Sequence, residues 1–349
     1  MEKIKNVLVT GNEGYIGCVL TEKLVKNGYL VTGLDLGIFK DVQFISKKIK
    51  PHRQIYKDIR DIKKQDLRGI DAVIHLAALC NDPLGDLNPH ATFEINHKAS
   101  VNLAKLAKLA KVKRFLFASS CSMYGISEKE FVNEEAEFNP QTSYAESKIL
   151  AEKEISQLAD ENFSPIFLRQ ATVFGVSPRM RLDLVVQNLV AYGYLFKTIT
   201  ILSDGTPWRP LIHIQDITSA FCLFLKSPRE LIHNQAFNVG HKENNIQIKT
   251  IAEMVCSVIP NSKIEIKNES PSDKRSYRVD FSKIYSLGFN PQFTVLDGIK
   301  EIYKTFQEVN FTESDFNSDK YFTLRRYQKM IDLGKMDRNL RIIKQLIWR

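Results

Sequence analysis

The sequence predicts an α/β fold, a doubly wound parallel sheet with a smaller mixed α/β region towards the C-terminus. Three observations predict it. Short apolar, β-branched runs alternate with helical stretches through the first half of the chain, and strands separated by helices at that rhythm pair in parallel and are covered on both faces. The first such run leads into a glycine-rich loop that opens a helix. After about residue 176 the alternation loosens.

Taken in order, residues 6–9 form a short strand, and 15–27 carry helical periodicity closed by Gly28. Strands follow at 30–34, ending at Asp35, and at 54–57. Residues 72–76 are apolar enough for a strand buried on both faces. A long helix is expected over 91–111, a strand over 114–119, a helix over 144–160 and a strand over 165–169. Further on, helices are expected at 182–196, 216–225 and 248–258, and a strand at 236–239. The chain thus divides into a sheet domain over 1–175, a region over 176–310 that partly returns to that core, and a tail over 311–349. In the tail, Leu324, Tyr327 and Ile331, then Leu340, Ile343 and Leu346 beyond Gly334, fit two short amphipathic helices.

Composition narrows the function classes. The chain has 44% hydrophobic and 26% charged residues, so nothing forces disorder. Its longest apolar runs, 30–34 and 71–80, are too short to cross a bilayer. No signal sequence is read at the N-terminus. Five scattered cysteines, with no pair at metal-ligand spacing, predict reduced thiols, no bound metal and a cytoplasmic location. Of the net charge of +9, most sits after residue 318, where nine basic residues face three acidic ones. The remainder is near balance and does not suggest a nucleic-acid partner. A helix in the basic tail packs on its own subunit or on a dimer mate, or else meets an acidic or membrane surface.

The loop after the first strand reads Thr10-Gly11-Asn12-Glu13-Gly14-Tyr15-Ile16-Gly17. Gly11 permits the tight turn, Gly14 lets backbone approach a pyrophosphate, and Gly17 lets the helix pack close to the sheet. The helix start at Tyr15 and Ile16 offers free N–H groups to phosphates. This is the Rossmann-type dinucleotide loop in its required strand–helix context. Asp35 ends the second strand, where a carboxylate accepts from ribose hydroxyls and repels a 2′-phosphate, favouring NAD over NADP. Asp58-Ile59 follows the third strand; there Asp58 either contacts adenine or caps a loop.

Tyr144 and Lys148 lie four residues apart at a helix start, on one face. A phenol of pKa about 10 becomes a better base beside an ammonium. The pair suits removal of a proton from a sugar or alcohol hydroxyl. The strand at 114–119 runs into Ser119-Ser120-Cys121-Ser122-Met123-Tyr124-Gly125, which places Ser120 at the ligand crevice as a hydrogen-bond donor to the reacting oxygen. Cys121 fits a small core residue better than a reactive thiol.

These stretches, with His75-Leu76-Ala77-Ala78, Leu168-Arg169 and Arg209-Pro210-Leu211-Ile212-His213-Ile214-Gln215-Asp216, resemble the extended short-chain dehydrogenase/reductases that act on nucleotide sugars. The resemblance covers roughly residues 3–306. It implies NAD as cofactor, a nucleotide-diphosphate sugar as substrate and a homodimer. It implies catalytic Ser120, Tyr144 and Lys148, with Leu76, Ala77, Ala78 and Asn96 near the cofactor. It places Arg209 at the diphosphate, and Arg179, Arg181 and Asn188 in a substrate lid. His213 is expected to be a buried structural histidine.

Departures from the pattern select the reaction. Family dehydratases carry an Asp-Glu pair just after the catalytic hydroxyl residue, and decarboxylases keep the Glu; here stand Cys121 and Ser122, neither a carboxylic acid. Glu135 or Asp82 is the remaining source of one. Thr172 stands where many epimerases have asparagine, and Asn81-Asp82-Pro83 is unusual. Asn81, Ser122 and Thr172 are therefore expected at the sugar, with Asn81 equally readable as part of a Pro-linked turn. No arginine stands near Ser270 for a second diphosphate contact; Lys274 or Arg275 is its candidate substitute. The expected activity is epimerisation at sugar carbon 4 through a keto intermediate. A one-way sugar dehydrogenase or keto-sugar reductase is the alternative chemistry, and an NAD-binding regulator or scaffold the alternative class.

Overall fold

A computed structural model describes residues 4–46, 49–80, 88–267 and 275–343. Six strands of the first half form a parallel sheet: β1 (Asn6–Thr10), β2 (Leu30–Asp35), β3 (Arg53–Tyr56), β4 (Ala72–His75), β5 (Arg114–Ser120) and β6 (Ser164–Gln170). Of the later strands, β7 (Thr172–Phe174), β8 (Thr198–Ile201) and β9 (Trp208–His213) leave the sheet, whereas β10 (Gln235–Val239) returns to pair with β6. The order across the sheet is β10-β6-β5-β4-β1-β2-β3. The chain order reverses between β1 and β4, and the crevice beyond the strand ends there is where α/β sheets take ligands.

Alternation along each strand explains the two covered faces. Val7 and Val9 join Leu20, Leu24, Ile217 and Phe221, so they face α1 (Tyr15–Lys26) and the later helix Ile214–Lys226. Leu8 joins Leu103, Ala107, Ala151 and Ile155, so it faces α2 (Ala99–Leu109) and α3 (Ser143–Ser156). The stretch read as one helix over 91–111 is continuous in direction but widens into a π-turn at Phe93–Lys98. Such widened turns re-aim side chains. This one carries Asn96, which reaches back to the chain after β4.

The later region builds its own core on α4 (Val185–Phe196), α5 (Ile214–Lys226), α6 (Ile248–Val258) and α7 (Val295–Glu308). It adds a three-stranded sheet in which β9 lies between β7 and β11 (Asn245–Gln247), and a pair of β8 with β12 (Lys263–Ile266). α7 was not read from the sequence, although its capping box at Thr294 and Asp297 is a local signal. The tail differs from expectation in one respect. α8 (Thr323–Asp332) forms, but residues 335–343 make a turn closed by a Met336–Ile342 bridge rather than a second helix. Gly334 at φ +63° ends α8, and the Asp337 carboxylate accepts from Arg341 N (2.8 Å), bending the chain back. No helix among the described residues is long and apolar enough to cross a membrane.

Candidate active site

A cavity of about 750 Å³ opens along the C-terminal ends of β1, β2, β4, β5 and β6. Its walls include Gly11, Asp35, Ser120, Tyr144, Lys148, Gln170 and Arg209. Asp35 ends β2 and Gln170 ends β6, four strands away in the sheet, which is roughly 19 Å at ordinary strand spacing. A cavity of that reach suits a dinucleotide with a second ligand beside it.

Around Asp35 the wall is mostly backbone. Gly11 has φ +73°, and a Cβ there would meet Ala77 N at 2.9 Å. A Cβ on Gly17 would fall 2.0 Å from the Gly11 carbonyl oxygen, so only glycine lets α1 start this close to β1. Gly14, Tyr15 and Ile16 line the cavity with them. The Tyr15 side chain is committed elsewhere: its hydroxyl donates to Gly175 O (2.7 Å) and accepts from Gln187 (2.8 Å). Its contribution to a ligand is therefore the helix start, not the phenol. The Asp35 carboxylate accepts from Glu13 N (3.1 Å) and Gly37 N (2.8 Å). Asp58 pairs with Arg60 at 2.6 Å and caps its amide, so the capping alternative describes its present contacts, while Asp58 and Ile59 also line the cavity. Leu76, Ala77 and Ala78 complete this wall.

His75 braces that wall from behind. It sits between Thr10 Oγ1 (2.7 Å) and Ser100 Oγ (2.8 Å). Ser100 donates to Asn96 O, so His75 Nε2 donates to Ser100 and the ring is neutral. Burial, reinforced by Lys148, pushes its pKa down to about 3. Asn96 was expected at the cofactor; instead it is fully buried and does not line the cavity. Its amide donates to Leu79 O (3.0 Å) and accepts from Leu79 N (2.8 Å), fixing the cavity-lining chain after β4. The mismatch arises because the π-turn points this side chain at backbone.

Ser120, Tyr144 and Lys148 line one cavity. Thr142 caps α3 by accepting from Ala145 N (3.3 Å), which sets the helix start that carries Tyr144. Lys148 is buried, donates to Ala118 O (2.8 Å) and lies 4.6 Å from the Phe117 ring centre and 5.8 Å from that of Tyr144. Burial lowers its pKa to about 8, against the pull of Cys80 and Glu152. The ammonium stays charged at neutral pH in a site that barely solvates it. A phenolate next to it is favoured by that unscreened charge. Ser120 Oγ accepts from Ser122 N (3.2 Å) and keeps its proton to give to a ligand.

Elsewhere the wall is made of side chains. Ser122 is buried and its hydroxyl has no hydrogen-bond partner among the described residues, which is costly unless a ligand supplies one. Thr172 and Asn188 line the cavity, Asn188 donating to Leu182 O (2.9 Å). Arg181 pairs with Asp183 at 2.9 Å and touches Cys80 Sγ (3.1 Å). Arg209 lines the cavity with Arg275 and donates to the Arg275 backbone carbonyl oxygen. Arg179, expected in a lid, is buried yet lines the cavity, 3.7 Å over the Phe39 ring and donating to Met180 O and Thr323 Oγ1. Cys121 points into the core, donating to Arg169 O (3.1 Å), and burial pushes its thiol pKa up. His213 is buried against Glu301 (2.9 Å) and Phe293. Asn81, Asp82, Ser270 and Lys274 lie outside the described residues. Sequence reasoning missed Phe39, Asp183, Thr323, Tyr327 and Leu340 in the wall; only the apolar spacing of Tyr327 and Leu340 hinted at burial.

A glycine loop at a helix start, an acidic strand end and a Ser/Tyr/Lys set across one parallel sheet define a dinucleotide-dependent oxidoreductase of the extended short-chain dehydrogenase/reductase type. Residues 7–240, more than half of the chain, match the NAD dependent epimerase/dehydratase family, and the chain belongs to it. It is 25% identical to a human dTDP-D-glucose 4,6-dehydratase, over 87% of this chain and 90% of that one. It is 28% identical to a UDP-glucose 4-epimerase of Lactobacillus helveticus, over 84% and 94%. The UDP-glucuronic acid 4-epimerase of Bacillus cereus, solved with UDP-glucuronic acid and NAD, superposes with a TM-score of 0.76 at 25% identity, over 87% of this chain and 99% of that one.

Proposed function

We propose that the chain is an NAD-dependent nucleotide-sugar epimerase acting at sugar carbon 4. One observation carries this choice over dehydration, which some relatives perform. Among the described residues the only carboxylates in the cavity are Asp35, Asp58 and Asp183. The first two sit beyond β2 and β3, at the adenosine end of a bound dinucleotide, and Asp183 is held by both ends of the Arg181 guanidinium. Glu135 is exposed and outside the cavity. Elimination of water needs an acid and a base beside the sugar ring, and Ser122 occupies the place where one would stand.

The residues fit NAD: glycines at 11 and 17 let the loop pack where a Cβ would strike backbone, so the start of α1 faces the cavity, and Asp35 lines it where ribose hydroxyls would sit. NAD, held by the glycine loop and Asp35, would supply the hydride acceptor and donor that exchange at the sugar carbon needs. Tyr144 takes the proton of the carbon-4 hydroxyl and gives one back. Lys148 stabilises the phenolate, and Ser120 donates a hydrogen bond to the reacting oxygen. Ser122 and Thr172 contact the sugar, and Arg209 with Arg275 holds the diphosphate.

Incubation with UDP-sugars, followed by NMR, tests the reading. Exchange between 4-epimers without net NADH is expected. Stoichiometric NADH without exchange would make the protein a one-way dehydrogenase, and NAD binding without turnover on any sugar would make it a regulator. A homodimer, implied by the family resemblance, belongs to the same reading and is checked by light scattering. The five free cysteines support a cytoplasmic location, checked by fractionation.

A further inference from the structure

The tail, which lies beyond the residues matched by the family, is fastened across the part of the cavity around Asp35. Buried Arg326 donates to Ile38 O (3.1 and 2.8 Å) and pairs with Asp41 and, at 2.8 Å, with Asp319. Arg60 donates to Asn339 O (2.8 Å) and Leu340 O (2.9 Å), and Arg341 pairs with Asp61 at 2.7 Å. The first set of ties holds α8 to the chain after β2. The second holds the turn at 335–343 to the chain after β3. The tail therefore bridges the two loops that carry Asp35 and Asp58. Of the nine basic residues after 318, Arg326 and Arg341 are engaged in these internal ties.

Thr323, Tyr327 and Leu340 form the inner face of this bridge and line the cavity. Thr323 Oγ1 accepts from Arg179 (3.2 Å), a buried guanidinium that makes no ion pair among the described residues. The Tyr327 hydroxyl makes no hydrogen bond among the described residues, although burial and the nearby Asp35 and Asp58 hold its phenol fully protonated at neutral pH. A protonated phenol facing a cavity between two carboxylates, without a partner, is a donor waiting for a ligand.

We infer that residues 319–342 are a strap over the adenosine half of the dinucleotide, that Tyr327 is a cofactor-binding residue, and that NAD leaves only when the strap lifts. The inference rests on the NAD orientation proposed above. It adds a wall that the glycine loop and Asp35 do not supply, and it makes the cofactor slow to exchange.

The test uses full-length protein loaded with NAD and chased with a fluorescent NAD analogue, alongside amide hydrogen exchange of residues 323–332. NAD is expected to slow exchange across α8. Tyr327→Phe is expected to weaken NAD binding about three- to tenfold, the effect of one lost hydrogen bond, with unchanged ligand-free stability. Arg326→Ala is expected to speed both strap exchange and NAD release at least about tenfold. The strap is overturned if NAD leaves α8 exchange unchanged, or if Arg326→Ala loosens α8 while release keeps its wild-type rate. Should Arg326→Ala fail to fold, Tyr327→Phe decides alone: affinity equal to wild type removes Tyr327 from the site. A wild-type protein that binds no NAD at all overturns the dinucleotide reading itself, and the strap with it.

Discussion

Around Asp35 the cavity wall is set first by glycine backbone; around Arg209 it is set by polar side chains. The first region is set by where a chain can bend and how close two backbones can come, which is why glycines at 11 and 17 and an acid at the end of β2 mark it. The second is set by which polar groups the chain after β5 and β7, the start of α4 and the start of β9 present, and several of those groups bind each other: Arg181 to Asp183, Asn188 to Leu182, Arg209 to Arg275. Backbone constraints fix the cofactor class. Loop side chains fix the sugar, and they tolerate more solutions. Tyr144 and Lys148 sit where the two regions meet.

The largest expected effect separates chemistry from cofactor binding. Tyr144→Phe removes the proposed proton acceptor and should lower kcat by about 10²–10⁴, while NAD affinity by titration stays within about twofold of wild type. An equal fall in NAD affinity would mean Tyr144 belongs to the backbone-walled region instead. Gly17→Ala attacks that region directly. Its Cβ would lie 2.0 Å from the Gly11 oxygen and 2.7 Å from Asn12 Cα, both backbone atoms that cannot yield without moving the loop. NAD affinity should drop on the order of a hundredfold and stability by about 2–4 kcal/mol. UDP-sugar affinity, followed by calorimetry, should change much less; a parallel loss would show that the two regions fold as one.

Lys148 ties function against stability. Its pKa is lowered to about 8 by burial, from an ordinary value of 10.5. Below pH 8 the amine is charged in both folded and unfolded chains, and the folded state bears a desolvation cost of about 3 kcal/mol. Between pH 8 and 10.5 the folded amine loses its proton first, the unfolded chain holds more protons, and stability rises with pH. Lys148→Met removes the cost but strands the Ala118 carbonyl, so it should gain about 2 kcal/mol at pH 7 in ligand-free protein while turnover collapses. Urea unfolding at pH 7 and pH 10 should find the gap between variant and wild type narrowing. A constant gap would place the folded amine at its ordinary pKa.

What was legible in the sequence follows the same division. The sheet, its loop and the Tyr144–Lys148 helix rest on local periodicity, glycine and caps, and the strands at β1, β2, β4, β5 and β6 fall where alternation put them. Asn96 was misplaced because a π-turn cannot be read from helical spacing, so its side chain was given to the cofactor when it serves Leu79. The second tail helix does not form because Leu340 and Ile343 match helical spacing as well as they match a turn; the hydrogen bond from Arg60 to Leu340 O and the Arg341–Asp61 ion pair, both to distant loops, decide between them. Thr323 and Tyr327 reach the cavity through contacts nearly three hundred residues away in sequence, such as Arg326 to Ile38. No local pattern encodes that.

The smallest expected effect falls on the sugar alone. Ser122 is 6% exposed, and its hydroxyl lacks a partner in the ligand-free protein. A buried hydroxyl without a hydrogen bond costs about 1–3 kcal/mol, so Ser122→Ala should leave the ligand-free protein equally stable or slightly more so, by thermal melting. In the proposed complex the sugar pairs this hydroxyl, so its loss should raise KM about three- to tenfold with kcat within about twofold. NAD affinity should not move, because Ser122 stands after β5, away from the glycine loop. If instead kcat falls and KM holds, Ser122 acts on the reacting oxygen with Ser120. The side-chain region would then extend into the chemistry that Tyr144 and Lys148 otherwise carry.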